Sequence, residues 1–202
     1  TCCQIDLVKL LEGGFSTGHG HLREPQSIES YAALACIAIQ SNQNDQHGGQ
    51  SVPNFDYALA VGVRKTYKRA YWKNLAEILD FMYDIDDKEG LVKQIGTDIE
   101  EQYGVCPCMA WDNNYEELEL AELIKFIPEA EAKKMQDRSR KFADKEIRRK
   151  TYQAMEAFIH NLNTMHSRAG AQVPFSSINY GTDTSPEGRL VMESVMLATE
   201  AG

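Results

Sequence analysis

The first residues in this 202-residue chain that could do chemistry are its thiols. Cys2 and Cys3 open a run, residues 2–7, whose composition suits a short buried strand. Successive strand residues point to opposite faces, so only one of the two sulfurs can face a given cavity. The pair is therefore not expected to bridge itself or to clamp one metal. Two readings stay open: a pair of small buried hydrophobes, or a single redox-active or proton-donating thiol at a strand end. Cys106-Pro107-Cys108 is one residue short of the Cys-x-x-Cys spacing of zinc and thioredoxin-like sites. No second pair or nearby histidine completes four ligands, so no metal site is expected.

Phosphate-holding groups are the second class of candidate. Gly18 and Gly20, with His19, His21 and Arg23, make a loop that lets backbone N–H groups approach an anion, but it matches neither the P-loop nor the dinucleotide fingerprint. Residues 172–189 make a stronger case. A β-forming run, residues 172–180, leads through a tight turn at Gly181 into a helix, residues 186–199. Ser185 before Pro186 fits an N-cap, and Thr184 with Glu187 fits a capping box. Thr182, Asp183, Thr184 and Ser185 crowd that helix start, with Arg189 one turn on, where free N–H groups and the helix dipole favour anions. Capping alone and capping combined with phosphate binding both fit. The amide run from Gln40 to Gln46, followed by His47, suits either readout of a nucleobase or partner helix, or a solvated helix end. His160 and His166 fall on a helical pattern, where packing and capping are the commoner roles. No Ser-His-Asp order and no paired-carboxylate spacing stands out.

These groups need elements to position them. Helical patterns cover residues 8–12, 28–47, 57–81, 118–127, 129–150 and 152–166, and residues 50–55 read as a short extended piece. Residues 15–25 read as loop, and residues 84–114 show no sustained period. The stretch from Ile28 to Ile39 is apolar on almost every face, which requires cover from its own domain or from a second subunit. The sum is a helix-rich α/β chain with few strands. At 43% apolar and 25% charged the composition is globular, and the longest apolar run, residues 31–39, is half what a bilayer needs. A net charge of −9 argues against DNA or RNA as partner. Between residues 77 and 131 stand 16 acidic residues against three lysines, which reads as a solvated acidic insertion between mildly basic flanks. Five cysteines without a framework, and charged residues Asp6, Lys9 and Glu12 where a secretory signal would lie, point to free thiols in the cytoplasm. The start at Thr1 and the stop directly after a helical pattern suggest a piece of a longer protein.

Several ordered blocks carry a resemblance. They are Gly14-Phe15-Ser16-Thr17-Gly18, Pro25-Gln26-Ser27-Ile28, the run from Gln40 to Gln50, the run from His166 to Phe175, and Gly181-Thr182-Asp183-Thr184-Ser185-Pro186-Glu187-Gly188-Arg189. Together they resemble the catalytic subunit of the class III, anaerobic ribonucleotide reductases, over residues 1–75 and 145–202 and more loosely through the acidic middle. The resemblance implies a ten-stranded α/β barrel of two parallel five-stranded halves, of which residues 1–202 are a partial catalytic barrel domain, the acidic helical insertion falling at about 77–131. It implies an oxygen-sensitive homodimer that reduces ribonucleoside triphosphates to deoxyribonucleoside triphosphates. A radical-SAM iron–sulfur activase makes a glycyl radical, which makes a cysteine thiyl; formate is the usual reductant, and a structural zinc sits elsewhere in the full protein.

The family's first-strand pattern falls on Thr1-Cys2 with Ile5-Asp6-Leu7, so the resemblance makes Cys2 the catalytic thiol that helps lose the 2′-hydroxyl as water, with Cys3 its neighbour on the outer face. Thr1 departs from the family's asparagine. Substrate contacts are expected from Gln172, Ser176, Thr182, Asp183, Thr184 and Ser185. A dNTP or ATP effector is expected near Gln40, Gln43, Asn44 and His47. The thiyl cysteine, the zinc ligands and the glycyl-radical segment are expected downstream, so the piece alone is expected to be inactive. Two other readings remain: a non-catalytic nucleotide-binding or dimerisation module, and a glycyl-radical enzyme acting on a non-nucleotide, which the match at 181–189 disfavours.

Overall fold

The structure, a computed structural model, describes residues 3–18, 20–46, 48–83, 87–166 and 172–202. The chain divides into two compact units, residues 1–65 with 149–202, and residues 66–148. It is a helix-rich α/β chain carrying a small parallel sheet.

In the first unit, β1 (Cys3–Gln4) leads into α1 (Leu7–Leu11). The strand expected over 2–7 is cut short because the Asp6 carboxylate accepts from the Lys9 N–H at 3.3 Å and so starts a helix. Within the expected loop, β2 (Phe15–Ser16) and β3 (His21–Leu22) pair as an antiparallel ribbon. Ser27 caps α2 (Ile28–Asp45), its hydroxyl accepting from the Ser30 N–H. The helix is not covered all round. Ile28, Tyr31, Ala35 and Ile39 are buried, whereas Ala33 and Ile37 face outward, Ile37 being 36% exposed. Then comes β4 (Gln50–Val52), parallel to β1 on one side and to β5 (Ser176–Ile178) on the other, in the register Cys3–Gln50–Ser176. The 172–180 strand is thus only three residues long, and Gln172 itself is exposed. α3 (Phe55–Met82) starts directly beyond β4 and continues into the second unit. The core of the first unit includes Leu7, Leu11, Ile39, Val52, Leu59, Met155, Val191 and Val195, with Phe55 and Phe158, whose rings lie 4.9 Å apart.

The second unit contains α4 (Lys88–Tyr103), α5 (Tyr115–Leu123) and the first half of α6 (Glu129–Thr164). α4 occupies ground where no period was expected. Asp87 caps it, and Val92, Ile95, Gly96 and Ile99 form its buried stripe. α6 is one 36-residue helix where two were expected, since neither proline nor glycine separates them. The acidic middle is not wholly solvated. Glu119 is 1% exposed, its carboxylate accepting from the Tyr71 hydroxyl at 2.5 Å, the Tyr115 hydroxyl at 2.9 Å and Gln136 Nε2 at 2.9 Å. Burial pushes its pKa up, and those three donors pull it partly back. α7 (Pro186–Ala201) returns the chain to the first unit.

Candidate functional site at the carboxyl end of the parallel sheet

Beyond β5 the chain turns at Gly181, φ 114°, and enters α7. Of the two capping schemes in the sequence, the structure adopts the Ser185 one: the Ser185 hydroxyl accepts from the Gly188 N–H at 3.1 Å, and Pro186 takes the first helical position. Asp183 is buried, and its Oδ1 accepts from the Ser185 N–H at 2.9 Å. Its other oxygen is buried with no hydrogen-bond partner among the described residues. A Cβ on Gly188 would lie 2.3 Å from the Asp183 Cγ, so this carboxylate reaches its place only against a glycine. Thr182 and Thr184 are exposed, and Ser185 is half-buried.

The residue that organises the turn was not among the candidates. Asp56, in the first turn of α3, is fully buried. Its Oδ2 accepts from three successive backbone N–H groups, of Gly181 at 2.9 Å, Thr182 at 3.1 Å and Asp183 at 3.0 Å, while Oδ1 accepts from the Tyr57 N–H at 3.0 Å. Burial alone would raise the Asp56 pKa, but the N–H groups of Asp183, Gly181, Tyr57 and Thr182 outweigh it and hold the carboxyl below the usual range. The Tyr57 hydroxyl adds a bond to the Thr182 carbonyl at 3.0 Å. Arg64, about two turns further along α3, lies 3.8 Å from the buried Glu187 carboxylate.

Cys3, Ser176 and part of the amide run lie at the amino end of the same sheet. Cys3 pairs with Gln50, and its N–H donates to the Gly49 carbonyl. Cys2 and His47 lie outside the described residues. Gln50 is buried and joins the amide run: its Nε2 donates to the Gln43 Oε1 at 3.0 Å, and its Oε1 accepts from Asn42 Nδ2 at 2.7 Å. Gln43 is thus a buried tie between α2 and β4, Asn44 is exposed, and Gln40 is half-buried with its Nε2 unpartnered among the described residues. Ser176 sits beside Gln50 in the register. The structure therefore gathers Thr182, Asp183, Thr184 and Ser185 at one end of the sheet, and Ser176 with the amide run at the other. β4 and β5 have three residues each, which makes those ends about 10 Å apart. Cys36 belongs to neither group; it is a core thiol that burial pushes up to about 12. Among the described residues no group of three or more His, Cys, Asp or Glu side chains is arranged to hold a metal ion, and no helix is long and apolar enough to cross a membrane.

A parallel sheet with a capped helix N-terminus beyond its carboxyl ends is the arrangement of ligand-binding α/β proteins. The particular family follows from comparison: residues 1–202 match the model described as anaerobic ribonucleoside-triphosphate reductase, and the chain belongs to that family. It is 23% identical over 195 residues to the anaerobic ribonucleoside-triphosphate reductase of Enterobacteria phage T4, covering 96% of this chain and 23% of the phage protein. It is 23% identical over 201 residues to the proteins of the same name from Escherichia coli and Salmonella typhimurium, covering all of this chain and 20% of each. The chain spans about a fifth of the length of these curated relatives.

Proposed function

We propose that this chain contributes part of the active site of an oxygen-sensitive radical enzyme that reduces ribonucleoside triphosphates to deoxyribonucleoside triphosphates. The observation that carries the reading is the family match over every residue of the chain. In this reading the three parallel strands belong to a ten-stranded barrel, and residues 77–131 form an acidic insertion on it. Cys2, one residue before β1, supplies the thiol that assists departure of the 2′-hydroxyl as water. The 181–185 turn contacts the nucleotide at the carboxyl end of the sheet through the side chains of Thr182, Thr184 and Ser185, and Ser176 contacts it at the amino end, with Gln172 a further contact. A single nucleotide is long enough to touch both ends of so short a sheet, and that reach supports the assignment.

Gln40, Gln43, Asn44 and His47 are proposed for the dNTP or ATP effector, and the outward strip of Ala33 and Ile37 on α2 for the homodimer contact. Glycyl-radical, formate and activase chemistry come with the family reading. The described residues offer no ligand set for the structural zinc, so no step here involves it. The test replaces Cys2 and Cys3 separately in the complete enzyme. Cys2→Ala is expected to abolish reduction while nucleotide binding persists, and Cys3→Ala to retain turnover within a few-fold. Near-normal turnover in Cys2→Ala would overturn the assignment.

A further inference from the structure

Three successive N–H groups converging on one point form an anion-binding nest, and such nests ordinarily hold a phosphate or another external oxyanion. Here the amides of Gly181, Thr182 and Asp183 converge on the Oδ2 of Asp56, a residue 125 positions earlier in the chain at the Gly181 contact. The carboxylate is fully buried and has its second oxygen committed to the Tyr57 N–H. Tyr57 also closes over the turn through its bond to the Thr182 carbonyl. The same turn and the helix it enters bury two more carboxylates, Asp183 and Glu187, with Arg64 beside Glu187. A multiply charged phosphate arriving at these amides would have to displace a satisfied carboxylate on a segment that already buries two others.

We propose that residues 181–183 form a carboxylate-sized anion site whose resident ligand is the chain's own Asp56. A bound nucleotide is then held by the remaining donors of the turn and not by these three amides. The side chain that closes the site also fixes the turn that presents Thr182, Thr184 and Ser185, which makes Asp56 a positioning residue. The inference stands on the geometry of the turn and does not depend on the chemistry assigned to Cys2.

The test is chemical rescue in this chain. Asp56→Ala removes the carboxylate and leaves a nest the size of formate; Asp56→Gly leaves one the size of acetate. Formate added to the first variant, or acetate to the second, is expected to raise the melting temperature progressively with concentration and to shift the 181–183 amide resonances saturably. Equal concentrations of chloride are expected to do neither, and wild type and Asp56→Asn are expected to respond to none of the three anions. Inorganic phosphate is expected to leave the 181–183 amides of wild type unmoved. Chloride matching the carboxylates, a variant that stays unfolded or unshifted with its carboxylate, or wild-type amides that shift with phosphate would each overturn the proposal. A nucleotide titration of wild type read at Thr182, Thr184 and Ser185 tests the substrate reading separately, because its failure leaves the rescue result untouched.

Discussion

An aspartate in the first turn of a helix ordinarily stabilises that helix by a few tenths of a kcal/mol to about 1 kcal/mol, through the dipole. Asp56 does more, because its carboxylate satisfies backbone donors of its own helix and of a turn far along the chain. Hydrogen bonds to a charged group contribute about 1.5–3 kcal/mol, so Asp56→Asn, which keeps an acceptor and loses the charge, is expected to cost about that much at neutral pH. The folded-state pKa of Asp56 is depressed, so its charge-dependent stabilisation is complete above the ordinary carboxylate range and is lost as pH falls through the depressed value. Denaturant titrations at a series of pH values are therefore expected to show the two proteins converging below about pH 4. A difference that stays constant on acidification would show that the carboxylate's charge is not what holds the turn. Nothing local in the sequence distinguishes Asp56 from any other acidic residue at a helix start, which is why it could not be read there. Ser185 was legible, since its partners lie within three residues.

At the scale of elements, local signals located what they could reach. The Ser185 cap, Pro186 and the apolar helix from Ile28 were all readable, and the structure places helices there. α4 was overlooked although Val92, Ile95, Gly96 and Ile99 follow the i, i+3, i+4, i+7 pattern, because Gly90 and Gly96 weaken its propensity. The tertiary structure explains Gly96: a Cβ there would lie 2.4 Å from the Trp72 indole, a rigid ring whose Nε1 is tied to the Tyr115 hydroxyl at 2.9 Å. Helix propensity favours alanine by about 1 kcal/mol at an interior site, whereas overpacking costs about 1–3 kcal/mol. Packing is expected to win, so Gly96→Ala should lower the urea midpoint. A raised midpoint would mean that Trp72 can move aside freely. The short strands were overestimated in length for a related reason. Their β-forming composition extends past the paired residues: the chain turns into α3 within three residues of Val52, and the last backbone bonds of β5 are those of Asn179 with Val52 and Phe55.

Across the whole molecule, every residue proposed to touch a nucleotide belongs to the unit of residues 1–65 and 149–202, and none to residues 66–148. The second unit has its own polar centre at Glu119, whose three donors, Tyr71, Tyr115 and Gln136, all come from within it. Its charge asymmetry was visible in the sequence, but the burial of one carboxylate among 16 acidic residues was not, because it depends on aromatic partners from α3 and α5 that only the fold assembles. Replacing Glu119 with leucine keeps the bulk and strands those donors, each at about 1–3 kcal/mol, so a loss of about 3 kcal/mol or more is expected. α3 and α6 run through both units, so the loss could spread along them or stay local. Local free-energy differences are read by hydrogen exchange, segment by segment. In Glu119→Leu, protection is expected to fall over residues 66–148 and to persist in β4, β5, α7 and the 181–185 turn. Equal loss of protection in both units would show that the helices transmit the damage, and that the sheet and its turn do not hold their geometry on their own contacts.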